Sequence, residues 1–171
     1  MTAELRELAP PWFHCFVGSP SDLTNFTWSL AGSGPSELVV RTVRGTKMQT
    51  VDRLFDEFAA VFQFPDYFGE NWDALSECLV DLSWMPAGGY VVAIRDSAVM
   101  LSRDDVKKFH TLVNILGNVA QEWSAAVAQG EAWDRPAKPF HVVVQTLPDD
   151  TTKLSKMIAD VGMAVSEISR C

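Results

Sequence analysis

Four short runs, residues 12–17 (WFHCFV), 37–43 (ELVVRTV), 90–95 (YVVAIR) and 140–145 (FHVVVQ), are apolar along most of their length instead of at alternate positions. Strands of that kind need cover on both faces, the condition of a mostly parallel sheet packed between helices. The segments between them have the period of a helix. In 51–63, Val51, Leu54, Phe55, Phe58 and Phe62 recur at threes and fours, and Thr50 can cap that helix. Asn71 can cap a second helix over 72–82. Ser102 with Asp105 offers a capping box for a long helix reaching about residue 128. The sequence predicts an α/β fold: a short, mostly parallel sheet flanked by helices in three layers.

The ends of the chain extend this pattern. The run 12–17, a helix start at Ser19-Pro20-Ser21-Asp22 and a short helix over 23–30 form an extra strand–helix unit. Such a unit is expected to join the sheet at an edge. Gly32-Ser33-Gly34-Pro35 is the best boundary in the chain. From Leu154 to Ile168 the apolar spacing predicts a C-terminal amphipathic helix weakened by Gly162. The expected organisation is an extension over 1–36, a domain over 37–147 and a helical tail over 148–171.

The charge is localised. The chain carries 14 Lys+Arg and 22 Asp+Glu, a net charge of −8. Residues 54–94 contain no Lys, Arg or His and seven acids: Asp56, Glu57, Asp66, Glu70, Asp73, Glu77 and Asp81. Such a map argues against a nucleic-acid or anionic-membrane partner. The three cysteines form no CxxC pair and the three histidines have no metal-ligand spacing, so neither a metal nor a cofactor is expected. The start of the sequence has no signal-peptide pattern and no run is long enough to span a membrane, which points to a cytoplasmic protein.

The functional signal lies in 64–82. On a helix with Asp73 at zero, Glu77 falls at about 40° and Asp81 at about 80°, beside the apolar face of Ala74, Leu75, Cys78, Leu79 and Leu82. Acids at i,i+4 destabilise a helix by roughly 0.2–0.5 kcal/mol per pair, and an acid in the last turn opposes the macrodipole. The acids continue into the loop as Asp66 and Glu70, where Pro65 excludes helix, Gly69 is free to take positive φ, and Tyr67 and Phe68 are displayed. Carboxylates beside aromatics at a loop–helix junction suit the capture of a cationic protein. Neighbours on one helix, Asp73 and Glu77 do not face each other across a substrate, so no catalytic acid pair and no enzyme is expected. His14 and His141 sit inside apolar strands and are expected as satisfied core histidines.

The run Phe64-Pro65-Asp66-Tyr67-Phe68-Gly69-Glu70-Asn71-Trp72-Asp73-Ala74-Leu75-Ser76-Glu77-Cys78-Leu79 resembles the central segment of the barstar family, and the resemblance covers about residues 37–147. It implies an intracellular, monomeric inhibitor that plugs the cationic active site of a microbial ribonuclease. Tyr67, Gly69, Asn71 and Asp73 match the family's contact positions, and Glu77 falls where its key carboxylate lies. Phe68, Glu70, Trp72, Ser76 and Asp81 complete the expected partner-binding set. Ser76 and the Asp81-Leu82 pair depart from the family's pattern, and the family's late acidic contact falls at Gln121 or Glu122. An immunity protein against another nuclease-type toxin and an interaction module without a nuclease are the alternatives.

Overall fold

Strands β1 (Phe13–Val17), β2 (Leu38–Arg44), β3 (Gly89–Arg95), β4 (Phe140–Thr146) and β5 (Val165–Ile168) form one sheet in the order β2-β3-β4-β1-β5, parallel at every pairing. The computed structural model describes residues 3–31 and 37–168; the break expected at Gly32–Pro35 lies outside them. Every residue of β4 is buried, and all but the last of β3, as apolar runs require when both faces are covered.

Alternate residues of the strands feed two separate layers. Phe13, Cys15, Tyr90, Val92, Ile94, Phe140, Val142 and Val144 pack under α2 (Val51–Phe62), α3 (Trp72–Asp81), α4 (Val106–Trp123) and α5 (Thr151–Ala159). Phe16, Leu38, Val91, Ala93, Val143 and Ile168 face the other way, under α1 (Pro20–Leu30) and Leu5 of a 3-10 turn. The expected α/β three-layer fold is present. The N-terminal strand is not at an edge: β1 is inserted between β4 and β5, because its own two faces are apolar and an edge would leave them half wet.

Several caps and boundaries differ from expectation. Thr50 stands at the N-cap of α2 but makes no side-chain cap; the carboxylate of Asp104 accepts from Val51 N at 2.7 Å instead. Asp105, not Ser102, caps α4 by accepting from Lys107 N, so the helix begins at Val106. It ends at Trp123, where the chain folds back: Lys138 N donates to the Trp123 carbonyl and Val127 pairs with Arg135. The tail is not wholly helical. After α5 the chain turns through Gly162 at φ +81° and adds β5 to the sheet, since Val165–Ile168 finds an unpaired edge of β1.

His14 on β1 and His141 on β4 are 1% and 0% exposed and are satisfied by each other. The Glu7 carbonyl can only accept, so His141 Nε2, 3.0 Å away, carries a proton and Nδ1 does not. His14 Nε2 therefore donates to His141 Nδ1 at 2.9 Å, and His14 Nδ1 accepts from the Ser166 hydroxyl at 2.7 Å. The relay runs in one direction with both rings neutral. A proton on His141 Nδ1 would set it against the His14 Nε2 donor; one on His14 Nδ1 needs only a turned hydroxyl and has Glu4 Oε2 4.0 Å away.

Burial, then the neighbouring His141, pull His14 down to about 4, and burial lowers His141 as well. Unfolded histidine protonates near pH ~6.5, so between there and about 4 the unfolded chain binds protons that the folded chain refuses. Stability is expected to be flat above that window and to fall as pH drops through it, by on the order of 3 kcal/mol from His14. Urea midpoints measured across the window check this, and an unchanging midpoint contradicts it. Leu23, fully buried under the sheet from α1, tests whether the N-terminal unit is part of the fold. Leu23→Ala is expected to cost about 2–5 kcal/mol in a single cooperative urea transition; a separate early transition would show an independent unit.

Candidate functional site

The loop into α3 is built by its aromatics. Phe68 N donates to the Pro65 carbonyl to close a turn. The Phe68 ring packs 4.9 Å from Phe64 and edge-on to Phe55 at 6.1 Å. Trp72 meets Phe55 edge-on at 5.1 Å, and Trp84 Nε1 donates to the Phe62 carbonyl at 2.9 Å. Phe68 and Trp72 are therefore half-buried supports, while Tyr67 alone of the three stands 73% exposed.

Asn71 joins loop to helix twice: its Oδ1 accepts from Ala74 N at 2.9 Å and its Nδ2 donates to the Gly69 carbonyl at 3.1 Å. The close approach explains Gly69, since a Cβ there would lie 3.0 Å from Asn71 Nδ2. The positive φ expected at Gly69 is found one residue on, at Glu70, with φ 49°. A carboxylate is thus held in the left-handed region, which glycine takes more readily.

On α3 the apolar face falls as the spacing predicts, with Leu75, Cys78 and Leu79 buried. Asp73, Glu77 and Asp81 are exposed, and Ser76 is half-buried. Tyr67, Glu77 and Asp81 rim a hollow of about 230 Å³ floored by Phe68, Ala74 and Cys78. Gly69, Glu70, Asn71, Trp72, Asp73 and Ser76 do not line it. Cys78, which the pattern assigns only to the core, is reached from the hollow; nothing in a helical pattern distinguishes a core residue beneath a pocket. Burial raises its thiol above the usual range, and Asp81 and Glu77 add to the rise. The Tyr67 hydroxyl is raised too, by loss of water contact and then by the Asp81 charge.

Of the seven acids, Glu57 is structural. Burial pushes its carboxyl up, but the bidentate Arg44 contact at 2.8 and 2.9 Å outweighs this and holds it below the usual range. Asp66, Glu70, Asp73, Glu77 and Asp81 have no ion-pair partner among the described residues. No group that could hold a metal ion occurs among them either. Asp81 in the last turn of α3 opposes the helix dipole with no base nearby in sequence. Asp81→Lys is expected to raise stability by about 0.3–1 kcal/mol, read as a higher urea midpoint; a lower midpoint would mean that Asp81 supports the fold.

The family model described as Barstar (barnase inhibitor) matches residues 38–145. No curated protein sequence matches the chain. Among solved structures, the Aeropyrum pernix ORC2 protein in its ADP form is similar at 12% identity and TM-score 0.62, over 95% of this chain and 43% of that one. Its ADPNP-ADP complexes match at 12% and 0.56, over 92% and 41%. Drosophila ORC bound to GC-rich DNA and Cdc6 matches at 15% and 0.49, over 92% and 49%. The chain thus spans less than half the length of these chains.

These matches correct the expected function. The fold, with its β1 and β5 additions, is shared with ORC2 proteins, so it does not designate a ribonuclease inhibitor or a toxin immunity protein. The expected partners fall with it: neither a ribonuclease partner nor the exclusion of nucleic acid follows from a fold these proteins share.

Proposed function

Because the chain belongs to the barstar family, we propose that it is a binding protein without chemistry of its own, whose loop 64–71 and helix α3 dock a cationic surface of a protein partner. The observation that carries this reading is the set of five exposed, unpaired carboxylates on an element fixed by Phe55, Asn71 and Trp84. A rigid acidic face loses little entropy on docking and steers an oppositely charged partner. Tyr67 supplies an exposed aromatic anchor of the type that dominates interface energies.

The ORC2 structures are an ADP form and ADPNP-ADP complexes, which raises nucleotide binding as a second reading. The strand-to-helix turn after β1 is where a phosphate-cradling loop would stand. Here it reads Gly18-Ser19-Pro20-Ser21-Asp22, with a single glycine and without the lysine of such a loop. Asp22 folds its carboxylate back onto Ser19 N at 2.8 Å in a capping box. A carboxylate already fills the place an anionic phosphate needs, and the residues do not fit the group.

Titration with hexaarginine, followed by amide NMR signals, tests the protein-binding reading. Saturable shifts are expected in 66–81, weakened at least about tenfold in Asp73→Asn/Glu77→Asn/Asp81→Asn and by raising salt until the Debye length falls well below ~10 Å. Shifts that survive in the triple variant would overturn the reading.

A further inference from the structure

Strand β2 is the outer strand of the sheet and pairs with β3 alone among the described residues. Two contacts show which of its backbone groups face outward. Arg44 N donates to Glu57 Oε1 at 3.0 Å, and the Val40 carbonyl accepts from Arg41 Nη1 at 3.4 Å. Alternate residues of a strand turn their backbone groups the same way. Leu38, Val40, Thr42 and Arg44 therefore present N–H and C=O to the open side, while Val39, Arg41 and Val43 are bonded to β3.

An edge of this kind is a template for another strand. Val39, Val40, Thr42 and Val43 are β-branched, the residue type that favours pairing. The edge is also complementary to itself. Set antiparallel across a two-fold axis, Val40 lies opposite Val40 of a second copy and Leu38 opposite Thr42, so each outward donor meets an outward acceptor.

Two side chains stand in the way. Glu57 on α2 is 5% exposed and makes three hydrogen bonds with Arg44. The guanidinium supplies two of them, at 2.8 and 2.9 Å, which suffice for an ion pair. The third comes from the backbone and closes the last outward donor of the strand. The Arg41 guanidinium covers the Val40 acceptor in the middle of the edge. Past Arg44 the chain leaves the sheet through a 3-10 turn at Gly45, whose missing side chain makes room for the Asp96 carbonyl.

We propose that Glu57 and Arg41 guard the β2 edge and hold the chain back from pairing edge to edge with a second copy of itself. Charged groups placed on an open edge serve this end. The inference stands apart from the docking reading of α3, because Glu57 is the acid of the 54–94 stretch that is turned inward to the sheet.

Amide hydrogen exchange and sedimentation test the guard. In the wild type, the Leu38, Val40 and Thr42 amides are expected to exchange at least about tenfold faster than those of Val39, Arg41, Val43 and Arg44. Slow exchange at all seven would reveal a covered edge and overturn the proposal. Arg41→Ala/Glu57→Ala is expected to self-associate at least about tenfold more tightly than the wild type, with the Val40 and Thr42 amides slowed in the assembly. Arg41→Ala/Glu57→Gln gives up the charge but keeps an oxygen for Arg44 N, and is expected to associate at least about threefold less than the Ala pair. Equal association of the two would reduce Glu57 to an ion-pair partner. Thr42→Pro removes an outward N–H and no bond to β3, so adding it to the Ala pair is expected to abolish association. If the Ala pair loses its cooperative urea transition, Arg41→Ala alone carries the test, with association strengthened at least about threefold. Variants that sediment as the wild type does, or association that survives Thr42→Pro, would overturn the proposal.

Discussion

The central strands β3 and β4 are hydrogen-bonded along both edges and packed on both faces, and every other element is placed by the need to satisfy them. The bonds of β4 go to β3 on one side and to β1 on the other. Its side chains alternate between the layer of α2 to α5 and the layer of α1. Strip away either layer and a row of valines meets water, at roughly 1.5–3 kcal/mol for each side chain exposed. The N-terminal unit is therefore part of the fold's energetics, because β1 completes the ladder of β4 and α1 covers its second face.

The same scaffold explains how an unfavourable helix persists. Helix α3 carries three acids on one stripe and ends on Asp81, choices that cost it stability in isolation. Leu75, Cys78 and Leu79 seat it in the core, Trp123 donates to its Leu79 carbonyl, and Asn71 ties its first turn to the loop. Packing therefore outweighs the local repulsion, and the acids are free to serve the surface. Unpaired like charge on a firmly seated exposed helix suits a steering and docking face.

Much of this was legible from periodicity. The apolar runs, the alternating helices, the buried side of α3 and the exposure of Asp73, Glu77 and Asp81 follow from spacing alone. Most misplacements share one cause, competition between local signals and distant partners. Thr50 has the residue type of a cap, but Asp104 is brought to the bare N–H of Val51 once Leu101 N and Arg103 N bond to the carbonyls of Met48 and Gln49; at α4, Asp105 caps in place of Ser102 because it stands nearer the first turn. Phe68 looks like an exposed anchor in a polar loop until Phe55 and Phe64 are brought against it. The 154–168 pattern fits a helix as well as it fits a helix, a turn and a strand, and the free edge of β1 decides between them.

By itself the sequence determined the fold class, the family and the acidic character of α3, because these depend on residue order within a few turns of chain. The tertiary structure decided which aromatics are free and which acids are unpaired. Glu57 joins Arg44 across thirteen positions, Trp123 reaches Leu79 across forty-four, and His14 meets His141 across one hundred and twenty-seven. Contacts at such separations are set by the order of strands in the sheet, and strand order is a global solution to burying both faces of β4, which no local pattern encodes.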